Sequence, residues 1–171
     1  MIELVLGGVS SGKSAWAEAR AARFSEVVYF ATAWAGDEEM TRRIHHHRAR
    51  RPRHWCLVEV GADLASALRR HDAEGRCLLV DGLGLWLARF VDDEARLAQA
   101  PQALLTALAS LQASVILVSD EVGLGGVAMT PAGRRFADAL GALNQALARR
   151  ARRVVWVSAG LPLFLKGEAD D

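Results

Sequence analysis

Gly7-Gly8-Val9-Ser10-Ser11-Gly12-Lys13-Ser14 is the stretch that decides the fold. It matches the phosphate-binding loop pattern G-x-x-x-x-G-K-[ST] at every position. A short apolar segment, residues 2–6, precedes it, and a segment rich in good helix formers, residues 15–22, follows it. Because strand, glycine-rich loop and helix in this order are the context that the motif requires, we predict a nucleotide-binding loop at residues 7–14.

The residues of this loop indicate how it would hold phosphate. Its glycines allow the backbone to approach a ligand closely, and successive N–H groups can point at phosphate oxygens beside the positive end of the following helix. We expect Lys13 to reach the β- and γ-phosphates and Ser14 to place its hydroxyl on Mg²⁺, which prefers oxygen ligands. Lys13 is one of only two lysines in a chain whose other basic residues are arginine, and its compact charge suits a phosphate.

The remaining chain alternates apolar strand-like segments with helical segments. This alternation predicts an α/β fold with a mainly parallel sheet covered by helices on both faces, in a single domain spanning 1–171. Within the helical residues 83–112 we expect an interruption near Asp92 and a restart at Pro101, and Thr130 is expected to cap a further helix. The predicted strands are residues 2–6, 27–33, 55–60, 77–82, 115–121, 154–158 and, at an edge because of Pro162, 161–165.

Composition and charge narrow the class of protein. Hydrophobic residues make up 51% of the 171 residues, which is typical of a globular protein. The net charge of +1 gives no global field for nucleic acid or membrane, and no apolar run reaches membrane-spanning length. With two cysteines and no signal peptide, we expect a cytoplasmic protein whose Cys56 and Cys77 are reduced, buried and small hydrophobes.

Acidic residues follow two of the predicted strands. Since ligands of parallel α/β sheets bind at the carboxyl ends of the strands, we expect Thr32, Asp81, Asp120 and Glu121 to lie beside the phosphate loop. Asp81 resembles a magnesium-organising acid, but Asp120 and Glu121 occupy the same kind of position. The sequence therefore leaves open which acid serves the metal, and whether any of them instead caps a helix or pairs with an arginine.

The run His45-His46-His47 lies in a second unusual segment, predicted to be helical over residues 37–50. Neighbouring residues of a helix point about 100° apart, so the three imidazoles do not share one metal site. Helical geometry places His47 on the same face as Met40 and Ile44, towards the protein body. Beside the arginines that follow, a neutral imidazole could attack a phosphorus atom; packing and general-base roles are the alternatives. The arginines could equally form a solvated face, and no interleaved aromatics indicate a nucleic-acid patch.

Taken together, these segments resemble the bifunctional adenosylcobinamide kinase / adenosylcobinamide-phosphate guanylyltransferase family of cobalamin biosynthesis. The resemblance covers residues 2 to about 165, and residues 37–55 with 121–125 are its most specific part. The residues that carry it are the phosphate loop, Ala31-Thr32, Asp37-Glu38-Glu39-Met40, Arg43-Ile44, His47-Arg48, Arg51-Pro52, Trp55, Glu121-Val122-Gly123-Leu124-Gly125 and Asn144-Gln145.

The resemblance implies two reactions in one RecA-like domain that assembles as a homotrimer. A nucleoside triphosphate, ATP or GTP, phosphorylates the aminopropanol hydroxyl of adenosylcobinamide. A histidine then attacks the α-phosphate of GTP, releases pyrophosphate and carries GMP to adenosylcobinamide phosphate, which gives adenosylcobinamide-GDP. The family spacing of Arg-Ile, two variable residues and histidine selects His47, with His46 as the alternative.

The resemblance also implies a set of site residues. His47 and Lys13 would be catalytic, and Ser14 and Asp81 would hold Mg²⁺. The sequence departs from the family pattern at Asp120, where the family usually carries asparagine, and at Val127-Ala128-Met129, where it carries Val-Pro. The nucleotide contacts would be Gly7, Gly8, Val9, Ser10, Ser11, Gly12, Lys13, Ser14, Ala31, Thr32, Ala33, Arg48, Ala49, Arg50, Arg51, Glu59 and Asp81.

Two other functions fit the phosphate loop. One is a small-molecule kinase that forms no covalent histidine intermediate. The other is a motor-type ATPase module that binds partner proteins. A nucleotide bound covalently to the protein would distinguish the bifunctional kinase and guanylyltransferase from both of these alternatives.

Overall fold

A computed structural model describes residues 1–33, 52 and 54–168 of the chain. The predicted helix at 37–50 therefore lies outside the described residues. The described helices are α1 (Lys13–Ala21), α2 (Leu64–Arg70), α3 (Leu83–Ala88), α4 (Glu94–Leu108) and α5 (Pro131–Arg150). The described strands are β1 (Ile2–Gly7), β2 (Glu26–Ala31), β3 (Cys56–Glu59), β4 (Arg76–Asp81), β5 (Ser114–Asp120), β6 (Arg153–Ser158) and β7 (Leu161–Lys166).

The strands form one sheet in the order β3-β2-β4-β5-β1-β6-β7. All neighbouring pairs are parallel except β6 with β7, which are antiparallel. The predicted α/β class with a mainly parallel sheet is thus confirmed, and so is the edge position of the strand that contains Pro162. Proline has no N–H to donate, which suits a strand with a neighbour on one side only.

Apolar side chains bury both faces of the sheet. In β1, Leu4 and Leu6 point into the core covered by α2, α3, α4 and α5, whereas Val5 points into the core on the side of α1. Strands buried on both faces require continuous apolar runs, which is why β1, β4 and β5 show no polar alternation. On the α1 side the helix contributes only the small residues Ala17 and Ala21 to the buried core.

Helix α5 begins as the sequence predicts. The Thr130 hydroxyl accepts a hydrogen bond from the N–H of Gly133 at 3.0 Å, and Pro131 occupies the first turn. Its stripe of Leu140, Leu143 and Leu147 is buried against the sheet. The predicted Thr130 cap is therefore confirmed, and the helix is amphipathic with its leucine stripe facing the core.

Two local predictions are wrong. Helix α4 begins at Glu94 rather than at Pro101, because the Asp93 carboxylate caps it by accepting the N–H of Arg96 at 3.0 Å. Pro101 lies inside the helix, and its burial offsets the hydrogen bond that a proline cannot donate.

The second wrong prediction is the burial of Cys56. Cys56 is exposed, because β3 is an edge strand. Cys77 is buried as predicted, and burial raises its pKa to about 12.

None of the helices that the structure describes combines the length and the apolar character of a membrane span.

Candidate nucleotide-binding site

The phosphate loop connects β1 to α1 at the carboxyl edge of the sheet. Gly12 caps α1 with φ of +95°, in the left-handed region that favours glycine. A Cβ atom on Gly7 would lie 2.6 Å from the carbonyl oxygen of Val157, so β6 leaves no room for a side chain there. Gly8 faces open space, so the steric requirement for glycine applies to two of the three predicted positions.

The turn between β6 and β7 supports the loop from one side. The N–H of Gly160 donates a hydrogen bond to the carbonyl oxygen of Ser11 at 2.8 Å. Gly160 itself has φ of +78°. A Cβ atom added to Gly12 would lie 3.0 Å from the Cα of Gly160, so the two glycines are closely packed. Sequence reasoning missed this support, although a glycine in a tight turn between two apolar strands was the available signal.

Lys13 extends over the loop towards the end of β5. Its ammonium donates to the carbonyl oxygen of Gly8 at 3.0 Å and forms an ion pair with Asp120 Oδ1 at 3.0 Å. The lysine side chain is 13% exposed and that of Asp120 is 34% exposed. The Lys13 ammonium is therefore held beside the phosphate loop, and the prediction that Asp120 lies next to this loop is confirmed.

Asp81 at the end of β4 is the acid that meets Ser14. The Ser14 hydroxyl donates to Asp81 Oδ1 at 3.1 Å, and the Tyr29 hydroxyl donates to Asp81 Oδ2 at 2.6 Å. Tyr29 is buried and its ring stacks on Trp55, with centroids 6.5 Å apart. Sequence reasoning missed Tyr29, because a tyrosine inside an apolar strand looks like an ordinary core residue.

The Asp81 carboxylate and the Ser14 hydroxyl form a donor set that suits Mg²⁺. Mg²⁺ bound to nucleotide phosphates usually takes one or two protein oxygens and keeps several waters. The structure shows no group of three histidine, cysteine or acidic side chains that could hold a metal, among the residues it describes. An oxygen site completed by phosphate is therefore the type of metal site that these residues fit.

Thr32 joins the ends of β2 and β4. Its buried hydroxyl accepts the N–H of Gly82 at 2.8 Å and lies 2.7 Å from the Gly82 carbonyl oxygen, to which it can donate. Arg89 Nη2 donates to the carbonyl oxygens of Thr32 and Val60 at 3.0 and 3.3 Å, and burial lowers the pKa of this arginine. These contacts hold the strand ends beside Asp81 in place.

Asn144, a residue of α5, fixes the end of β5. Its side-chain oxygen accepts the Ser119 hydroxyl at 2.7 Å, and its Nδ2 donates to the carbonyl oxygen of Asp120 at 3.1 Å. The N–H of Glu121 donates to the carbonyl oxygen of Gly7 at 3.1 Å, which ties the segment after β5 to the phosphate loop.

Similarity to known proteins shows which family this chain belongs to. The family model for cobinamide kinase / cobinamide phosphate guanyltransferase matches residues 3–165. The chain belongs to this cobinamide kinase / guanyltransferase family. In its structure the phosphate loop, which ends at Ser14, lies beside Asp81 and Asp120.

Three curated relatives match over nearly their whole length. The bifunctional adenosylcobalamin biosynthesis protein CobP of Pseudomonas aeruginosa is 51% identical over 171 residues, with 98% of this chain and 99% of the relative covered. The CobU proteins of Escherichia coli and Salmonella typhimurium are 33% and 34% identical, each with 97% of this chain and the whole relative covered.

Solved structures show the same fold at low identity. A KaiC-like protein of Pyrococcus horikoshii has a TM-score of 0.52 at 15% identity, with 91% of this chain and 69% of that chain covered. A second protein of that organism, PH0250, has a TM-score of 0.56 at 8% identity, with 99% and 87% covered. The predicted RecA-like phosphate-loop class agrees with these neighbours.

The structure brings together the described members of the predicted site. Strand register places Ala31 beside Asp81 and Glu59, and Gly7 beside Asp120, all at the carboxyl edge. Thr32 and Ala33 follow directly after β2. The predictions for His46, His47, Arg48, Ala49, Arg50 and Arg51 fall outside the described residues.

Proposed function

We propose that this member of the cobinamide kinase / guanyltransferase family catalyses both reactions of its family. It phosphorylates the hydroxyl of adenosylcobinamide with ATP or GTP. It then transfers GMP from GTP to the resulting adenosylcobinamide phosphate, which yields adenosylcobinamide-GDP and pyrophosphate. The observation that carries the proposal is the match over residues 3–165, which includes a complete phosphate loop with Lys13, Ser14 and Asp81 at one edge of the sheet.

The described residues supply the machinery for binding triphosphate. Backbone N–H groups of the loop and the start of α1 would face the phosphates, and the Lys13 ammonium would bind β- and γ-phosphate oxygens. Ser14 and Asp81 would hold Mg²⁺, which would neutralise phosphate charge as a bond to phosphorus breaks. Tyr29 would keep Asp81 oriented by its hydrogen bond to Oδ2.

The guanylyl transfer would use a histidine as nucleophile. A ring nitrogen of His47 would form a bond to the α-phosphorus of GTP while the bond to pyrophosphate breaks. An oxygen of adenosylcobinamide phosphate would then take the GMP and restore the imidazole. Support for His47 comes from the family spacing and from the sequence-based prediction that it shares a helical face with Ile44; His46 is the alternative.

The decisive experiment follows the α-phosphate of GTP. Protein incubated with α-labelled GTP and then denatured should retain label that acid removes and base does not, as expected for a phosphoramidate. His47→Ala should abolish this label, while the matched control His46→Ala should retain it. Loss in His46→Ala alone would transfer the role to His46. Absence of label in the unmodified protein would leave the plain small-molecule kinase.

The proposal includes assembly as a homotrimer. Its support is the edge strand β7, on which Leu161, Leu163 and Leu165 are 72%, 54% and 56% exposed. An exposed apolar edge strand is a surface that native proteins usually cover. The mass of the protein in dilute solution measures this part of the proposal separately from catalysis.

A further inference from the structure

Asp120 contacts the phosphate-loop lysine but takes no part in the two reactions proposed above. Its Oδ1 lies 3.0 Å from Lys13 Nζ, whereas the acid beside Ser14 is Asp81. Asp81 and Asp120 therefore both border the loop, with different partners. Asp81 is placed to act with a metal, and Asp120 is placed to act on the lysine.

The structure holds Asp120 firmly in this position. It is the last residue of β5 and pairs in register with Gly7 at the start of the loop. Asn144 binds its carbonyl oxygen, and its Oδ2 fills the space where a side chain on Gly84 would otherwise lie. Because backbone and carboxylate are both packed, the carboxylate remains near the loop when a ligand arrives.

A nucleotide must therefore compete with Asp120 for the ammonium of Lys13. In phosphate loops this ammonium binds the β- and γ-phosphates. If Lys13 leaves Asp120, an ion pair is lost; if Lys13 binds both, two anions lie on either side of one cation. Either event opposes binding, and both concern only nucleotides that have a phosphate beyond the α position.

We propose that Asp120 is a specificity-determining residue that weakens the binding of di- and triphosphates by competing for Lys13. The inference rests on the proposed function only in assuming that this loop binds the nucleotide. Its consequence is that a phosphate held by Lys13 is easily released. That suits an enzyme whose two reactions leave either a nucleoside diphosphate or pyrophosphate behind.

Asp120→Asn tests the proposal, because asparagine keeps the shape and removes the charge. Calorimetric titration with Mg²⁺ present should show GTP and GDP binding about tenfold more tightly than to the unmodified protein. GMP should bind with unchanged affinity, because it has no phosphate at Lys13. Asp120→Ala should change the affinities in the same direction. Asp92→Asn removes the same charge from an exposed turn and should leave all three affinities unchanged.

The opposite results would overturn the inference. Weaker GTP binding in both Asp120 variants would show that the carboxylate orients Lys13 rather than competes for it, and unchanged binding would show that it does not compete. If the affinity for GMP rose as much as that for GTP, the Asp120 charge would act through long-range repulsion of any nucleotide instead of through competition for Lys13. These outcomes are separate from failure of the proposed function, which would show as absence of GTP binding or of histidine label in the unmodified protein.

Discussion

The two ends of β1 carry ion pairs of opposite character. At the amino end, Glu3 is 2% exposed and accepts Arg20 Nε and Nη2 at 3.0 and 2.8 Å, and Arg153 Nη1 at 3.0 Å. At the carboxyl end, Lys13 pairs with Asp120, whose side chain is 34% exposed. The same types of charged group thus form a closed cluster at one end and an open pair at the other.

The difference shows how burial decides what an ion pair can do. Glu3 binds two cations from α1 and β6, and removing any partner would leave charge in a site that water reaches poorly. The Lys13–Asp120 pair borders the solvent through Asp120, so water or a phosphate can take the place of this carboxylate at Lys13 at modest cost. The amino end is therefore suited to hold the fold together, and the carboxyl end is suited to exchange ligands.

The largest effect should come from breaking the closed cluster. Glu3→Gln removes the anion that Arg20 and Arg153 share, and each of these arginine side chains is only 13% exposed, so we expect the free energy of unfolding to fall by about 3–5 kcal/mol. Urea denaturation measures it. Glu26→Gln is the matched control, because its pair with Arg76 is exposed and should contribute less than about 1 kcal/mol. A loss no larger than that of the control would contradict the assigned role of burial.

A smaller effect is expected from Tyr29→Phe at the open end. Phenylalanine keeps the ring against Trp55 but removes the 2.6 Å hydrogen bond to Asp81. If Asp81 holds Mg²⁺ as proposed, the Mg²⁺ concentration needed for half-maximal GTP binding should rise by about tenfold. Trp55→Phe, which perturbs the ring contact and keeps the hydroxyl, should change this concentration much less. Equal Mg²⁺ dependence in both variants would limit Tyr29 to packing.

The smallest effect is expected at Asp63, an acidic residue that follows β3 and caps α2. Its carboxylate caps α2 by accepting the N–H of Ser66 at 3.0 Å, and this bond holds its pKa below the ordinary value of 3.8. Asp63→Ala should lower stability by about 1 kcal/mol at neutral pH and leave GTP binding unchanged.

The stabilisation from Asp63 has a predictable pH dependence. Because the folded pKa lies below the unfolded value, the contribution is complete above pH 3.8 and is lost as the pH falls through the folded pKa. The stability difference between Asp63→Ala and the unmodified protein should therefore shrink in acid. A difference that does not change with pH would show that the charge contributes nothing.

Much of the fold could be predicted because its signals are local. The phosphate loop, the buried strands and the Thr130 cap are each encoded within a few neighbouring residues. The start of α4 was mistaken because Pro101 is a strong start signal in isolation, and only packing reveals that it lies inside a helix. Cys56 was mistaken for a core residue because strand propensity does not distinguish an edge from a centre.

The candidate site divides in the same way. The sequence identified Lys13, Ser14, Asp81 and Asp120, since each follows a recognisable strand or motif. Gly160 and the Tyr29 hydroxyl were missed, because their partners lie far away in the chain and their own neighbourhoods look ordinary. Which acid meets Ser14 and which meets Lys13 was likewise open until the strands were aligned.

The sequence by itself determined the elements, the phosphate loop and the resemblance to a family, because periodicity, glycine placement and motif spacing are properties of short segments. Only the tertiary structure decided the strand order, the pairing of Asp81 with Ser14 and of Asp120 with Lys13, and the closure of the Glu3 cluster. The physical reason is that backbone hydrogen bonds are alike for every strand. The choice of neighbours therefore depends on which apolar faces pack together across the whole chain.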